Sequence, residues 1–322
     1  MTDKNFQTGE HRSERSGDHR PASKDRPGDG EAHRAGFVGI IGRPNAGKST
    51  LFNRLLGQKL SIITHKAQTT RHRIPGFYSD EGCQIVFLDT PGIIQPSYLL
   101  QEKMMDKVSR LRNDADLLLH IVDGRRPPDP EDVVWETLAE LKLPVMLVLN
   151  KIDLLCEQSI DEAIGACTRN FDYSDTVAIS ATEGLGVDEL LSRIRERLPV
   201  GPAFYPKDEA SDLSMRFFVS ELIREQLFLL YEKEVPYSCA VNIVDYREEE
   251  NIEHIDAEIV VNRNSQKGIL IGKKGVRLKE LGIRSRMEIE KLTGKQAHLK
   301  LFVKVREKWR EKDNFLKSFG YR

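Results

Sequence analysis

Two short stretches rich in glycine and lysine could each hold phosphate groups. Residues 42–50 have the sequence GRPNAGKST, and residues 268–281 have the sequence GILIGKKGVRLKEL. Glycines let consecutive backbone N–H groups turn inward around an anion, and the N-terminus of a following helix adds positive dipole charge. Only the first stretch has the spacing of a nucleotide-binding loop, so the two predict different phosphate ligands.

The first stretch matches the pattern GxxxxGK followed by Ser or Thr. It lies between the apolar run FVGIIG and the helically spaced KSTLFNRLL, which is the strand–loop–helix context that the pattern requires. Lys48 is expected to reach the β- and γ-phosphates, and Ser49 is expected to ligate Mg²⁺. The residues expected to contact the nucleotide here are Gly42, Arg43, Pro44, Asn45, Ala46, Gly47, Lys48, Ser49 and Thr50.

Three further segments follow at the ends of the predicted strands QIVFLDT, VMLVLN and TVAIS. They add the expected contacts Asp89, Thr90, Pro91, Gly92, Ile93, Asn150, Lys151, Ile152, Asp153, Ser180, Ala181 and Thr182. Asp89 is expected to hold Mg²⁺ through water, and the Gly92 N–H to sense the γ-phosphate. The order and spacing of the four segments predict binding of a guanine nucleotide.

Asp153 gives the expected preference for guanine. Its carboxylate can accept hydrogen bonds from guanine N1–H and N2–H₂, which adenine lacks, and each charge-assisted bond is worth roughly 1.5–3 kcal/mol. A backbone N–H of the segment 180–182 could meet the guanine carbonyl oxygen.

These segments resemble the G1, G3, G4 and G5 motifs of the translation-factor-like class of P-loop GTPases. Between G1 and G3, residues 67–72 (AQTTRH) resemble the G2 element, switch I. The resemblance implies a threonine that reaches Mg²⁺ in the GTP state. We favour Thr70, with Thr69 as the alternative, although either could be a loop threonine without a metal role. The expected metal ligands are Ser49, Thr70 and Asp89, and the expected catalytic residues are Asn45, Lys48, Thr70 and Gly92.

Ile93 follows the G3 glycine, where Ras-like GTPases have the glutamine that orients the attacking water. Isoleucine has neither a donor nor an acceptor, so we expect hydrolysis to be slow without RNA or the ribosome. Relatives with an apolar residue at this position have an asparagine in G1 that, in some of them, helps to hold K⁺. The resemblance implies this role for Asn45, and the alternative is that Asn45 only shapes the loop.

The second stretch fits the GxxG loop of KH domains, which joins two helices and clamps a single-stranded RNA backbone. A tight turn between helices is the alternative. Residues 255–322 contain 18 Lys and Arg against 8 Asp and Glu, a net charge of +10, so residues 1–254 carry −11 of the total of −1. A basic module of this kind favours a polyanionic partner. The expected RNA contacts are Ile271, Gly272, Lys273, Lys274, Gly275 and Arg277.

The order of elements predicts two domains. Short apolar strands alternate with amphipathic helices up to about residue 200, which indicates an α/β P-loop GTPase domain with a mostly parallel sheet and helices on both faces. An α-β-β-α-α-β order follows and suggests an α+β KH domain of type II. The expected boundaries are a disordered extension at 1–34, a GTPase domain at 35–200, a linker at 201–212, and a KH domain with a C-terminal basic helix at 213–322.

Several classes of protein are disfavoured by composition. The four cysteines lack CxxC spacing, which argues against a zinc site and a disulfide framework. No apolar run approaches the ~18–20 residues of a membrane span, and there is no apolar signal core, so we expect a cytoplasmic protein.

A P-loop GTPase followed by a type II KH domain resembles the Era family of ribosome-assembly GTPases. The stretches QTTRHRIPG, FLDTPG, NKIDL and ILIGKKG are similar to elements of that family. The resemblance implies GTP or GDP with Mg²⁺, a monomer, binding to 16S rRNA near its 3′ end, and action in maturation of the small ribosomal subunit. The alternatives are a GTPase acting on another RNA or at the inner membrane surface, and an RNA-binding adaptor with a non-hydrolysing nucleotide site.

Overall fold

A computed structural model describes residues 33–321 of the 322-residue chain. The predicted disordered extension at 1–34 therefore lies almost wholly outside the described residues, and its last residue, Arg34, begins the first strand. The described residues form a six-stranded sheet and, after it, a three-stranded sheet.

The first sheet has the strand order β2-β3-β1-β4-β5-β6. All neighbouring strands are parallel except β2 and β3, which are antiparallel. Its strands are β1 (Arg34–Ile41), β2 (Ile74–Ser79), β3 (Cys83–Asp89), β4 (Leu117–Asp123), β5 (Val145–Asn150) and β6 (Asp175–Ile179). Strands β3 and β5 are buried at every position, as expected of parallel strands covered on both faces.

Helices cover both faces of this sheet, which confirms the predicted fold class. They are α1 (Lys48–Leu56), α2 (Leu99–Ser109), α3 (Leu111–Asp114), α4 (Val133–Leu141), α5 (Glu157–Thr168) and α6 (Val187–Arg197). The buried apolar residues of α1 and α6 belong to one core cluster, and those of α3 to α5, with Val108 of α2, belong to the cluster on the opposite face.

The second sheet has the order β7-β8-β9. Strands β7 and β8 are antiparallel, whereas β8 and β9 are parallel. The elements are α7 (Met215–Leu230), β7 (Ala240–Glu248), β8 (Ile252–Val261), α8 (Asn264–Ile271), α9 (Val276–Thr293), β9 (Gln296–Val305) and α10 (Asp313–Ser318). Their order up to β9 confirms the predicted α-β-β-α-α-β succession.

Helix α7 differs from an amphipathic helix, which the helical spacing of Phe218, Leu222, Leu227, Leu230 and Tyr231 predicts. Eight consecutive residues from Glu221 to Phe228 are buried, including Arg224 and Glu225. The helix is covered on its polar side as well, because that side meets the loop that follows α1 in the first module.

The predicted basic helix at the C-terminus is shorter than expected. A turn at Trp309–Glu311 precedes α10, which has only six residues. Trp309, Leu316 and Tyr321 are buried in a cluster with Leu100 and Met104 of α2. Burial of these apolar side chains folds the end of the chain back onto the first module.

The segment predicted as a linker is held against the edge of the first sheet. The side chain of Gln84 bonds the backbone N–H groups of Phe204 and Tyr205 and the Tyr205 carbonyl oxygen. The Tyr205 ring stacks on Phe77 with a centroid distance of 3.9 Å. None of the helices within residues 33–321 combines the length and apolarity needed to cross a membrane.

Candidate functional site

A cavity of about 460 Å³ opens at the carboxyl ends of the strands in the first sheet. It is lined by the loop between β1 and α1, by residues 62–70, and by side chains that follow β3, β4 and β5. Ligands of open α/β sheets bind at this edge. The structure thus brings together the loop 42–50, Thr70, Gly92 and Lys151.

The phosphate loop requires glycine at both ends. Gly42 and Gly47 have φ angles of +143° and +103°. A Cβ atom at Gly42 would lie 2.3 Å from the Ile121 carbonyl oxygen, and one at Gly47 would lie 2.1 Å from Asn150 Nδ2. Helix α1 begins at Lys48, directly after Gly47, so its N-terminus lies at the cavity.

Lys48 lies folded into the phosphate loop. Its side chain is nearly buried, and Nζ donates to the carbonyl oxygens of Gly42 at 3.1 Å and Arg43 at 2.8 Å. Burial lowers the pKa of Lys48 to about 8, although the nearby Asp89 opposes this change. A phosphate group would give the ammonium a stronger anionic partner than these carbonyls.

Four oxygen-bearing side chains meet at the inner end of the cavity. Asp89 Oδ2 accepts hydrogen bonds from Ser49 Oγ at 2.8 Å and Ser61 Oγ at 2.7 Å. Thr70 Oγ1 lies 2.9 Å from Ser49 Oγ and 3.5 Å from Asp89 Oδ2. Asp89 is fully buried, and its Oδ1 bonds to none of the residues that the structure describes.

This donor set fits Mg²⁺. Carboxylate and hydroxyl oxygens are the ligands that hard divalent cations prefer, and a buried oxygen without a partner is costly unless a ligand satisfies it. Burial raises the pKa of Asp89, while hydrogen bonds from Ser61 and Ser49 and the charge of Lys48 lower it. Ser61 was missed by the sequence reasoning, because no motif marks it.

The two candidate threonines have different surroundings. Thr69 Oγ1 donates to the Lys66 carbonyl oxygen at 2.7 Å and lies 2.6 Å from Thr64 Oγ1. Thr70 instead lies beside Ser49 and Asp89. The geometry favours Thr70 as the residue that could reach a metal ion.

Asn150 joins three of the four motifs. Its Nδ2 donates to the Ala46 carbonyl oxygen at 2.8 Å, and its Oδ1 accepts from the Ala181 N–H at 2.9 Å. The Ala181 N–H is thus engaged in this contact rather than directed at the cavity. The Ser180 side chain is buried and lies 3.2 Å from Thr182 Oγ1. Asp153 lies exposed in a 3₁₀ turn at Ile152–Leu154.

Lys151 is held by two partners beside the cavity. Its Nζ donates to the Asn45 carbonyl oxygen at 2.7 Å and to Asp123 Oδ2 at 2.6 Å. Burial would raise the pKa of Asp123, but hydrogen bonds from Arg125 and Lys151 lower it to about 2. Asp123, Arg125 and Arg126 line the cavity and were not predicted. The position of Asp123 at the end of β4, like that of Asp89 at the end of β3, was the available signal.

Asn45 and Ile93, both expected to contact the nucleotide, have different surroundings, since Asn45 lines the cavity and Ile93 is buried. Asn45 has a φ of +64°, and its Nδ2 donates to the His65 carbonyl oxygen at 3.2 Å. The Ile93 side chain is buried in the core, and its N–H donates to the Gly42 carbonyl oxygen at 3.0 Å. A Cβ atom at Gly92 would lie 2.9 Å from the Pro44 nitrogen, so only glycine fits there.

The GKKG turn joins α8 and α9 in the second module. Gly272, Lys274 and Gly275 have φ angles of +70°, +53° and +77°. The side chains of Lys273 and Lys274 are exposed, and Arg277 lies over the Tyr231 ring. Ile271 is only partly exposed and packs on the core, so it supports the loop.

A groove of about 420 Å³ continues from this turn between α9 and β9. Its lining residues are Gly275, Leu278, Lys279, Gly282, Ile283, Arg286, Leu299 and Leu301. An apolar floor with Lys and Arg at the edge suits bases and phosphates of a single strand. The groove was not assigned from sequence, although Ile283 is an apolar residue exposed on a helix.

Family models match both modules. Residues 37–151 match the model described as 50S ribosome-binding GTPase, and residues 234–310 match the model described as KH domain.

Two relatives extend the likeness beyond the modules. The chain is 44% identical over 290 residues to GTPase Era of Geotalea uraniireducens (strain Rf4), covering 89% of this chain and 98% of the relative. It is 43% identical over 294 residues to chloroplastic GTPase ERA1 of Zea mays, covering 90% of this chain and 71% of the relative.

Two solved structures are similar over nearly their whole length. One is an Aquifex aeolicus Era variant bound to GDP·AlF₄⁻, with 38% identity and a TM-score of 0.86 over 89% of this chain and 99% of that one. The other is Era in complex with MgGDPNP and nucleotides 1506–1542 of 16S ribosomal RNA. It also shows 38% identity and a TM-score of 0.86, over 90% of this chain and 99% of that one.

Proposed function

The chain belongs to the Era family of GTPases and hydrolyses GTP to GDP and phosphate, and we propose that its affinity for RNA depends on which of the two nucleotides is bound. The RNA is the 3′ region of 16S rRNA, and the process is maturation of the small ribosomal subunit. The observation that supports this proposal is that one chain carries both a P-loop cavity and a basic GxxG groove. The similar Era structure holds MgGDPNP and a 16S rRNA segment together.

In the nucleotide cavity, each residue has a separate task. Lys48 leaves the carbonyls of its own loop and binds the β- and γ-phosphates, while the loop N–H groups bind the remaining oxygens. Ser49, Thr70 and Asp89 would hold Mg²⁺, and the ion would supply positive charge beside the phosphates. The N–H of Gly92 contacts the γ-phosphate, and Asp153 selects guanine.

In the RNA-binding module, exposed basic side chains contact the RNA backbone, and the groove between α9 and β9 binds the bases. Lys273, Lys274 and Arg277 contact phosphates of one strand, and Gly272 and Gly275 allow the strand to approach the turn closely.

We place the GTPase domain at 35–200, the linker at 201–212 and the RNA-binding domain at 213–322. The protein acts as a monomer in the cytoplasm.

Crosslinking in cells followed by sequencing of the bound RNA tests the proposed substrate. We expect the crosslinks to concentrate near the 3′ end of 16S rRNA and to disappear when the GKKG turn is altered. Crosslinks spread over messenger RNA or centred on another structured RNA would contradict the assignment.

We further propose that Asn45 helps to hold K⁺ at the phosphates. Its Nδ2 donates to the His65 carbonyl oxygen at 3.2 Å, which brings an amide and a carbonyl group together beside the cavity, and amide and carbonyl oxygens are K⁺ ligands. We expect GTP turnover to be about tenfold faster in K⁺ than in Na⁺ buffer, because a fixed cation stabilises charge in the transition state.

The matched variant for this prediction is Asn45→Gly. Glycine tolerates the left-handed backbone at this position, where φ is +64°, and removes only the carboxamide. The variant is expected to turn over GTP at the same rate in both buffers. Equal rates of the unaltered protein in K⁺ and Na⁺ would rule out the potassium role.

A further inference from the structure

We propose that the RNA-binding module helps to form the nucleotide site by holding Thr70 in position. Lys66 and Arg71, which flank Thr70, bind backbone carbonyls of that module, and its Glu225 binds the start of the same loop. These are positioning residues, since none of them contacts the metal-binding oxygens. Here we call residues 59–72 the Thr70 loop, and α7 with the turn at 236–239 the platform. The inference rests on the proposed roles of Thr70 and of the nucleotide cavity.

Lys66 attaches the Thr70 loop to the end of α7. Its Nζ donates to the carbonyl oxygens of Phe228 and Tyr231. The last carbonyls of a helix have no intrahelical partner and carry the negative end of the helix dipole. An ammonium group is therefore a well-matched partner for this helix end, and the two modules are joined there.

Arg71 attaches the loop to the turn that follows α7. Its guanidinium donates to the carbonyl oxygens of Cys239 at 2.7 Å, Pro236 at 3.1 Å and Tyr237 at 3.2 Å. The residue is only 2% exposed. A buried guanidinium that loses its acceptors is strongly unfavourable, so Arg71 fixes this end of the loop on the platform.

Glu225 is the third anchor and lies on the polar side of α7. It is 3% exposed, and its two oxygens serve two points of the loop. Oε1 accepts from the Ile63 N–H at 3.0 Å, and Oε2 accepts from Lys59 Nζ at 2.6 Å. The carboxylate thus binds the start of the Thr70 loop.

Thr70 lies between these anchors. Arg71 is its covalent neighbour, and the Lys66 carbonyl oxygen accepts a hydrogen bond from Thr69 Oγ1 at 2.7 Å. Within its own module the loop also has hydrogen bonds at Leu60 and Ser61, near its start, at His65 and Gln68, and at Thr70 itself. The approach of Thr70 Oγ1 to Ser49 therefore depends on the platform as well as on the GTPase domain.

The platform is also connected to the RNA loop. Helix α9 begins at the GKKG turn, and its Ile289 is buried in one cluster with Val219, Leu222 and Ile223 of α7. Any displacement of α9 by bound RNA acts on α7 and then on the Thr70 loop. Because coupling is reciprocal, GTP binding that fixes Thr70 would favour the same arrangement of α7 and α9.

Lys66→Met in the full-length protein tests the inference. Methionine keeps most of the length of the side chain and removes the charge that binds the end of α7. We expect affinity for Mg·GDPNP to fall about tenfold and affinity for Mg·GDP to stay within about twofold, since Thr70 serves the triphosphate state. Deuterium uptake of residues 62–71 in nucleotide-free protein should rise.

Three further variants separate positioning from general stability. Lys66→Arg retains a donor to the helix end and should restore most of the affinity for Mg·GDPNP. Glu225→Gln retains an acceptor for the Ile63 N–H and should lose less than Glu225→Ala. Lys207→Met removes an exposed lysine of the linker and should change neither nucleotide affinity nor deuterium uptake.

Two results would overturn the inference. One is an unchanged Mg·GDPNP to Mg·GDP affinity ratio in Lys66→Met and Glu225→Ala, and the other is an equal loss for both nucleotides. In both cases the unaltered protein still binds nucleotide, so the proposed function stands. If the unaltered protein bound neither nucleotide, the proposed function itself would fall.

Discussion

Asp153→Asn is expected to change the preferred nucleotide from GTP to XTP. The amide can donate to the xanthine 2-oxo group but can no longer accept two hydrogen bonds from guanine. Losing two charge-assisted bonds of roughly 1.5–3 kcal/mol each lowers GTP affinity by at least about 100-fold. Titration of the protein with GTP and with XTP measures both affinities directly.

Asp161→Asn is the control for this change. Asp161 is likewise exposed, lies on α5 and belongs to none of the four nucleotide motifs, so its loss should leave both affinities unaltered. Because Asp153 lies in an exposed turn, we expect its substitution to leave the fold intact. Undiminished GTP affinity in Asp153→Asn would show that this carboxylate does not recognise the base.

Reversing both lysine charges of the GKKG turn is expected to abolish RNA binding. Lys273→Asp with Lys274→Asp removes two phosphate contacts and places two negative charges beside the strand, which should weaken binding by about 100-fold or more at near-physiological salt. Aspartate tolerates the left-handed backbone of Lys274, where φ is +53°. Fluorescence anisotropy with an RNA from the 3′ end of 16S rRNA provides the measurement.

The same charge change elsewhere provides a matched control. Lys142 and Lys207 are exposed, and Lys142 has a φ of +55°, close to that of Lys274. Lys142→Asp with Lys207→Asp should leave RNA affinity within about twofold, apart from a small long-range effect of net charge. Both double variants should bind GTP normally. RNA affinity that survives in the GKKG variant would remove the turn from the binding surface.

The nucleotide cavity could be anticipated because its residues follow strands whose apolar runs are easily recognised. Asp89 and Asn150 end β3 and β5, and parallel strands bring their carboxyl ends to one edge.

Strand β2 was not predicted, because it lacks the apolar run by which the other strands are recognised. Its sequence IPGFYS contains proline and glycine, and it pairs on one side only, so it lacks the continuous apolar run of its neighbours.

The contacts between the modules could not be anticipated. Arg71 and its acceptor Cys239 are 168 residues apart in sequence, and Ile63 and Glu225 are 162 residues apart. Neither pair belongs to a repeating pattern. In the sequence, a helical glutamate that is buried by tertiary contacts cannot be distinguished from one that is exposed to solvent. Apolar spacing therefore predicts an amphipathic α7 but does not reveal that its polar side contacts the Thr70 loop.

The most direct test of the account compares two samples of the protein, one saturated with Mg·GDPNP and the other with Mg·GDP. In each sample, the affinity for a 16S rRNA segment from the 3′ end is measured. If two anion sites are coupled through the platform, RNA should bind at least about fivefold more tightly in the Mg·GDPNP state, and RNA should raise Mg·GDPNP affinity by the corresponding factor. Equal RNA affinity in the two nucleotide states would contradict it.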